Sequence, residues 1–208
     1  MAKIKPASPL SLKDEISYYL QPLNLSDSLP INTNLHSADE QTMISTFGSP
    51  LMPLTTVDQP DHVSPRIKQL LQTAKIGQHV VVTGISPALD SLKIILEKAF
   101  QQEKDNNHDF ESVLNSHDML NVRLRKPTSG KPSTKISNHA WGTAIDFKIV
   151  GQNPPGNTGH VIPRFIAVLL PFFNQAGWYS GIAFHDTMHF EVSEETIMQW
   201  SKNGIPHK

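Results

Sequence analysis

Apolar positions in this chain change period several times, and each change marks an element. The first 65 residues carry little periodicity and are rich in Pro, Ser, Thr and Asn. One helix-like segment stands out there, Ser11 to Leu20, opened by a serine cap and the acidic "KDE". We read residues 1–65 as an arm laid on the domain or a connector, and residues 66–208 as the main domain. Ser64-Pro65 opens "RIKQLLQTAKI", whose Ile67, Leu70, Leu71 and Ala74 recur at helical spacing up to Gly77. "HVVVTG" follows as a short buried strand, and a second helix runs from Pro87 through "ALDSLKIILEKAFQQEK". A third helix is expected over "DFESVLNS", after the polar break at Asn106-Asn107.

"MLNVRLRK" then alternates, with Leu120, Val122 and Leu124 on one face and Asn121, Arg123 and Arg125 on the other, which predicts a half-buried strand. Loops rich in Pro, Ser, Thr and Gly flank "KISNHAWGTAIDFKI", the later one being "VGQNPPGNTG". "VIPRFIAVLLPFFNQAG" predicts a largely buried helix closed by Gly177, "HFEV" a strand, and "SEETIMQWSKNG" a helix capped by Ser193 and stopped by Gly204. Helices and strands mix without a βαβ rhythm, and no Gly-rich nucleotide-binding turn follows "HVVVTG". The expected architecture is α+β, with a small antiparallel β-sheet flanked by helices.

Composition narrows what such a domain can do. At 208 residues and 38% hydrophobic content the chain supports one substantial core. Its 18 Lys and Arg nearly balance 19 Asp and Glu, so no net field draws nucleic acid or an anionic membrane. The absence of cysteine excludes disulfides, thiolate metal sites and cysteine nucleophiles, and leaves any metal to imidazole and carboxylate ligands. The N-terminal "MAKIKPASPLSLKDEISYYL" lacks the apolar core of an export signal, and "FIAVLLPFF" is short and interrupted by Pro171. We therefore expect a protein made in the cytoplasm without a cleaved signal and without membrane insertion.

Two apolar strands carry polar residues that need a reason. In a straight strand His139 and Asp146, seven residues apart, would point to opposite faces. Gly142 supplies the freedom for a turn that resets the phase, so that both face one cavity while Ile145, Phe147 and Ile149 pack the core. In "FHDTMHFEV", His189 and Glu191 share one face, Phe190 and Val192 the other, and Asp186 stands on the turn before them. Each residue alone also has a structural reading, as a strand histidine or a turn aspartate. Together, two imidazoles and one carboxylate are the ligand complement of a catalytic zinc, and a further carboxylate beside them suits a general base.

"SNHAWGTAID" matches S-x-H-x-x-G-x-A-x-D and "DTMHFEV" matches (D/E)-x-x-H. In these motifs the chain resembles the D-alanyl-D-alanine carboxypeptidase (VanY) and L-alanyl-D-glutamate peptidase family of zinc peptidases, from about Val80 to Gly204. The resemblance implies a Hedgehog/DD-peptidase-like fold, Zn2+ held by His139, Asp146 and His189, and Asp186 as base. It also implies an upstream arginine at the substrate or its oxyanion, for which Arg123 is the first candidate and Arg125 the second. Ser137 is a substrate-binding candidate or a cap, Trp141 a cleft wall or a cover for the turn at Gly142, and Glu191 a partner of a ligand imidazole or a solvated side chain. Aspartate at 186 resembles the phage-endolysin branch, where many carboxypeptidases carry Glu.

The implied substrate is the peptide stem of bacterial peptidoglycan, cut by a lytic endopeptidase acting in the periplasm or cell wall after delivery by phage lysis or a secretion machine, the latter with an immunity partner. The alternatives are a D,D-carboxypeptidase, a D-Ala-D-Ala dipeptidase, or a non-catalytic zinc-containing wall-binding module.

Overall fold

The computed structural model describes residues 10–25, 30–117, 119–126, 133–153 and 161–204. The loops expected after Lys126 and after Gln152 fall largely outside these ranges, as do His160 and His207. The architecture is α+β, as the pattern predicts. Its centre is a four-stranded antiparallel sheet in the order β4 (Leu114–Ser116), β5 (Ala144–Ile149), β8 (His189–Val192), β7 (Trp178–Ser180). Two short ribbons flank it, β1 (Pro22–Asn24) with β6 (Val161–Pro163), and β2 (Leu71–Ile76) with β3 (Val80–Ile85).

The period-2 pattern of the central strands sorts the sheet into two faces. Ile145, Phe147, Ile149, Phe190 and Val192 form the apolar one and are fully buried. Against it lies α5 (Arg164–Gln175), whose Phe173 ring sits 4.2 Å from Phe190, 5.5 Å from Phe147 and 5.4 Å from Trp178. Helix α4 (Ser86–Asp105) packs on α5 and on the β2–β3 ribbon. The opposite sheet face carries the polar residues.

The segment before residue 66 contributes to the same core. Helix α1 (Leu12–Leu20) buries Tyr19, whose hydroxyl bonds Glu103 of α4 at 2.9 Å. Helix α2 (Glu40–Phe47), which the sequence pattern does not announce, is capped by Asp39 and buries Met43 and Phe47. The stretch between these helices pairs with the far end of the chain: Ser37 bridges Ser193, and the amide of Glu194 donates to the His36 carbonyl at 2.9 Å.

Three expected elements differ. The helix expected from Ser64-Pro65 to Gly77 is α3 (Pro65–Leu70) followed by strand β2, because "LQTAKI" finds a full antiparallel partner in β3. Gly77, at φ 64°, opens the hairpin turn and does not end a helix. In "DFESVLNS" a single helical turn, Leu114 amide to Phe110 carbonyl, gives way to β4, since Leu114 and Ser116 pair with the edge of β5. "MLNVRLRK" is not a strand either. Only Leu124 bridges Ile136, and Met119 and Val122 bury themselves within an irregular crossing. In each case a tertiary partner overrides the local pattern. The helix α6 (Glu194–Asn203), with its Ser193 cap and Gly204 stop, is as expected.

Candidate metal centre

His139, Asp146 and His189 converge on the polar face of the sheet. The phase reset occurs at Gly142, which takes a left-handed conformation (φ 64°, ψ 38°) after a 3₁₀ turn over Asn138–Trp141. A Cβ there would lie 2.7 Å from the Gly84 Cα of β3, so the turn needs glycine for both conformation and space. Thr143 closes the turn by donating its hydroxyl to the Asn138 carbonyl at 3.0 Å. Beyond it, β5 pairs Asp146 directly with His189 of β8. Gly181 lies under His189, where a Cβ would come 2.9 Å from that residue's own Cβ.

One donor atom from each of the three residues lies within 4.8 Å of the other two. The Asp146 Oδ1 is 3.4 Å from His139 Nε2 and 2.9 Å from His189 Nδ1. Tetrahedral ligands at zinc bond lengths are about 3.3 Å apart, so the set fits one such ion. The other ring nitrogens point the same way. His139 Nδ1 donates to the Met119 carbonyl at 3.1 Å, which leaves a lone pair on Nε2 facing a carboxylate, an arrangement that calls for a cation between them. His189 Nε2 lies 3.0 Å from Glu191 Oε2, which leaves Nδ1 for the ion. Glu191 is thus buried beside a candidate ligand and does not face solvent.

The electrostatics reinforce this. Burial works to lower the pKa of His189, but hydrogen bonds and charge from Asp146 and Glu191 outweigh it and hold the ring up at about 10. Burial works to raise both carboxyls, yet the two histidines hold Asp146 well below the usual range, and His189, Ser37 and Arg125 hold Glu191 down. Asp186 differs: its burial prevails and its pKa is raised, with His189, Asp146 and His139 all within electrostatic reach. A carboxyl shifted toward neutrality beside a metal cradle suits proton transfer.

The remaining candidates separate. Trp141 has no exposed surface and donates its indole N–H to the Gly48 carbonyl at 2.7 Å; it belongs to the core, with no face left for a substrate, which corrects its reading as a cleft wall. Ser137 is buried where the 3₁₀ turn begins, its amide donating to the Arg123 carbonyl. Arg123 donates to the Leu124 carbonyl and Arg125 to the Ile136 carbonyl, and because the segment is not a strand the expected common strand face is absent; the charge of Arg125 reaches Glu191. His185, exposed at φ 65°, ends the 3₁₀ turn before Asp186. Phe184 and Tyr179 form a stacked pair, with the Phe184 ring 5.6 Å from His189.

Residues 36–48 hold the centre from behind. The Ile136 amide donates to Glu40 at 2.7 Å, Asn138 Nδ2 to the Ala38 carbonyl at 3.2 Å, and Trp141 to Gly48. No spacing in the sequence signals these contacts, because they join positions about a hundred residues apart through backbone groups.

Residues 131–192 match a family model described as D-alanyl-D-alanine carboxypeptidase. The match spans both motifs and supports the resemblance read from them, with a peptidase as the activity the family carries. No curated protein and no solved structure matches the chain.

Proposed function

We propose that the protein is a zinc-dependent peptidase that hydrolyses the peptide stems of bacterial peptidoglycan, acting as a lytic endopeptidase. The observation that supports this most is the orientation of the two candidate ligand imidazoles: each has one nitrogen on a protein acceptor and the other aimed at Asp146. Such pairing fixes which nitrogen is free for an ion.

When bound, zinc supplies Lewis acidity, polarising a substrate carbonyl and making a water acidic enough to lose its proton near neutrality. Asp186 receives that proton and passes it to the departing amine nitrogen, a transfer its raised pKa favours. Glu191 and the Met119 carbonyl hold the two rings in place through the cycle. Phe184 offers an apolar wall beside His189 for a substrate side chain. Arg123 and Arg125, each tied by one N–H to a backbone carbonyl, keep further guanidinium donors for a developing oxyanion.

The test is digestion of purified peptidoglycan by the zinc-loaded protein, with mass spectrometry of the products. Internal stem fragments with new amino termini are expected, and none with Asp186→Ala. Equal activity of that variant removes Asp186 from the mechanism. The description of the matching family favours a second reading, a D,D-carboxypeptidase, which would release single alanine residues and leave the rest of the stem intact.

A further inference from the structure

The pairing of β4 with β5 puts two further side chains on the metal-bearing face. Ser116 pairs with Phe147 and Asn115 with Lys148, and the His117 amide donates to the Asp146 carbonyl at 2.8 Å. His117 is therefore the cross-strand neighbour of Asp146, as His189 is on the other side, and the three form one row across the sheet. Lys148 lies two positions along β5 from Asp146, on the same face.

Asp146, the residue these side chains flank, is the most exposed of the three candidate ligands. The side chain of Asp146 keeps 18% of its surface exposed, whereas His139 keeps 4% and His189 8%. His117 is exposed and Lys148 half-buried. The charges of Lys148 and Lys126 both act on the His117 ring, and that of Lys126 also acts on Asp186. Among the described residues neither lysine forms an ion pair. Arg123 and Arg125, by contrast, are tied to backbone carbonyls. Among the described residues no acid pairs with the half-buried Lys148, and an anion arriving at the metal-bearing face would supply a partner.

We propose that Lys148, with His117 beside it, binds a carboxylate of the peptide substrate and makes this site selective for acidic peptides. For the class of substrate this rests on the peptidase reading. Two strand positions span about 7 Å, so the carboxylate bound by Lys148 lies within about two residues of the bond cut. A chain-terminal carboxylate and the free carboxylate of an internal D-glutamyl residue both offer this group.

The experiment uses the full chain carrying Asp186→Ala, loaded with zinc, and measures binding by calorimetry to three peptides. These are an L-Ala-γ-D-Glu-L-Lys-D-Ala-D-Ala stem, its C-terminal amide, and the stem with the free carboxylate of glutamate converted to amide. One amide is expected to bind about tenfold more weakly than the acid, and which one it is identifies the carboxylate held. Adding Lys148→Met should lower binding of the acid to that level, leave the weak amide unchanged and keep the zinc stoichiometry. Lys148→Arg should retain the preference. Equal loss for acid and amide, no loss, or loss of zinc with Lys148→Met overturns the assignment. If the zinc-loaded wild type cleaves no stem peptide, the peptidase reading fails while the binding comparison still judges Lys148.

Discussion

Gly142→Ala should damage the centre, and Gly151→Ala provides its control. Both glycines have positive φ, 64° and 68°. Among the described residues a methyl group at Gly151 meets nothing within 4 Å, so alanine there incurs the left-handed strain, about 1–2 kcal/mol. At Gly142 the same strain is joined by a Cβ 2.7 Å from the Gly84 Cα, a backbone atom that no rotamer change relieves. Forcing β3 and the turn apart adds about 1–3 kcal/mol, by analogy with overpacked cores. The total for Gly142→Ala is then about 2–5 kcal/mol, or roughly 4–20 °C in melting temperature for a domain of this size.

The turn also sets the separation of His139 and Asp146, so zinc affinity should fall roughly 10–100-fold, as when a group that orients a ligand is lost. Unfolding should be followed in the presence of a chelator, so that metal binding does not add to stability, and affinity by competition with a chromophoric chelator. If Gly142→Ala unfolds like Gly151→Ala and binds zinc like the wild type, then neither the close approach to Gly84 nor the phase reset controls the site.

Three further outcomes follow from the same geometry. Glu191→Gln should weaken zinc binding roughly 10–100-fold, because the His189 ring loses the carboxylate that fixes its Nε2 proton, while Tyr179→Phe on the neighbouring strand serves as a control in the same competition assay. The metal-free protein should lose stability as pH rises. The folded pKa of His189 is held up at about 10 against an ordinary histidine value of 6.5, so its contribution is complete below about 6.5 and is lost through about 10, and chemical denaturation of His189→Asn across that window should show a flatter profile. Glu40→Ala, outside the matched stretch, should destabilise by about 1.5–3 kcal/mol in urea titrations, the range for a hydrogen bond to a charged group, because the Ile136 amide loses its carboxylate acceptor.

The site was more legible in the sequence than the fold around it. Period-2 alternation in "TAIDFKI" and "HFEV" placed Asp146, His189 and Glu191 on one face, and the seven-residue interval with a glycine inside it placed His139 beside them, as the structure has it. The faces within each strand need only local stereochemistry, whereas the convergence of the two segments follows from the resemblance of their motifs. What was not legible depends on partners distant in the chain. "LQTAKI" carries helical spacing and becomes a strand because "VVVTGI" pairs with it. "LNS" belongs by pattern to a helix and becomes a sheet edge, and with that edge hidden His117 could not be placed next to Asp146. As a strand, "NVRLRK" makes the two arginines equivalent, whereas in the irregular crossing they bond different carbonyls. Helix α2 lay in a stretch whose Pro, Ser and Thr content concealed its few apolar anchors, Met43 and Phe47.

The clamp formed by residues 36–48 bears on when the proposed ion could be captured. During synthesis this segment leaves the ribosome first, His139 and Asp146 follow, and His189 emerges with Glu191 only after another forty or so positions. A nascent chain therefore passes through a stage with two donors out and the third still in the tunnel. On the zinc reading, an ion with only two of these donors would exchange readily, so secure loading would wait until β8 pairs with β5 and adds the His189 imidazole.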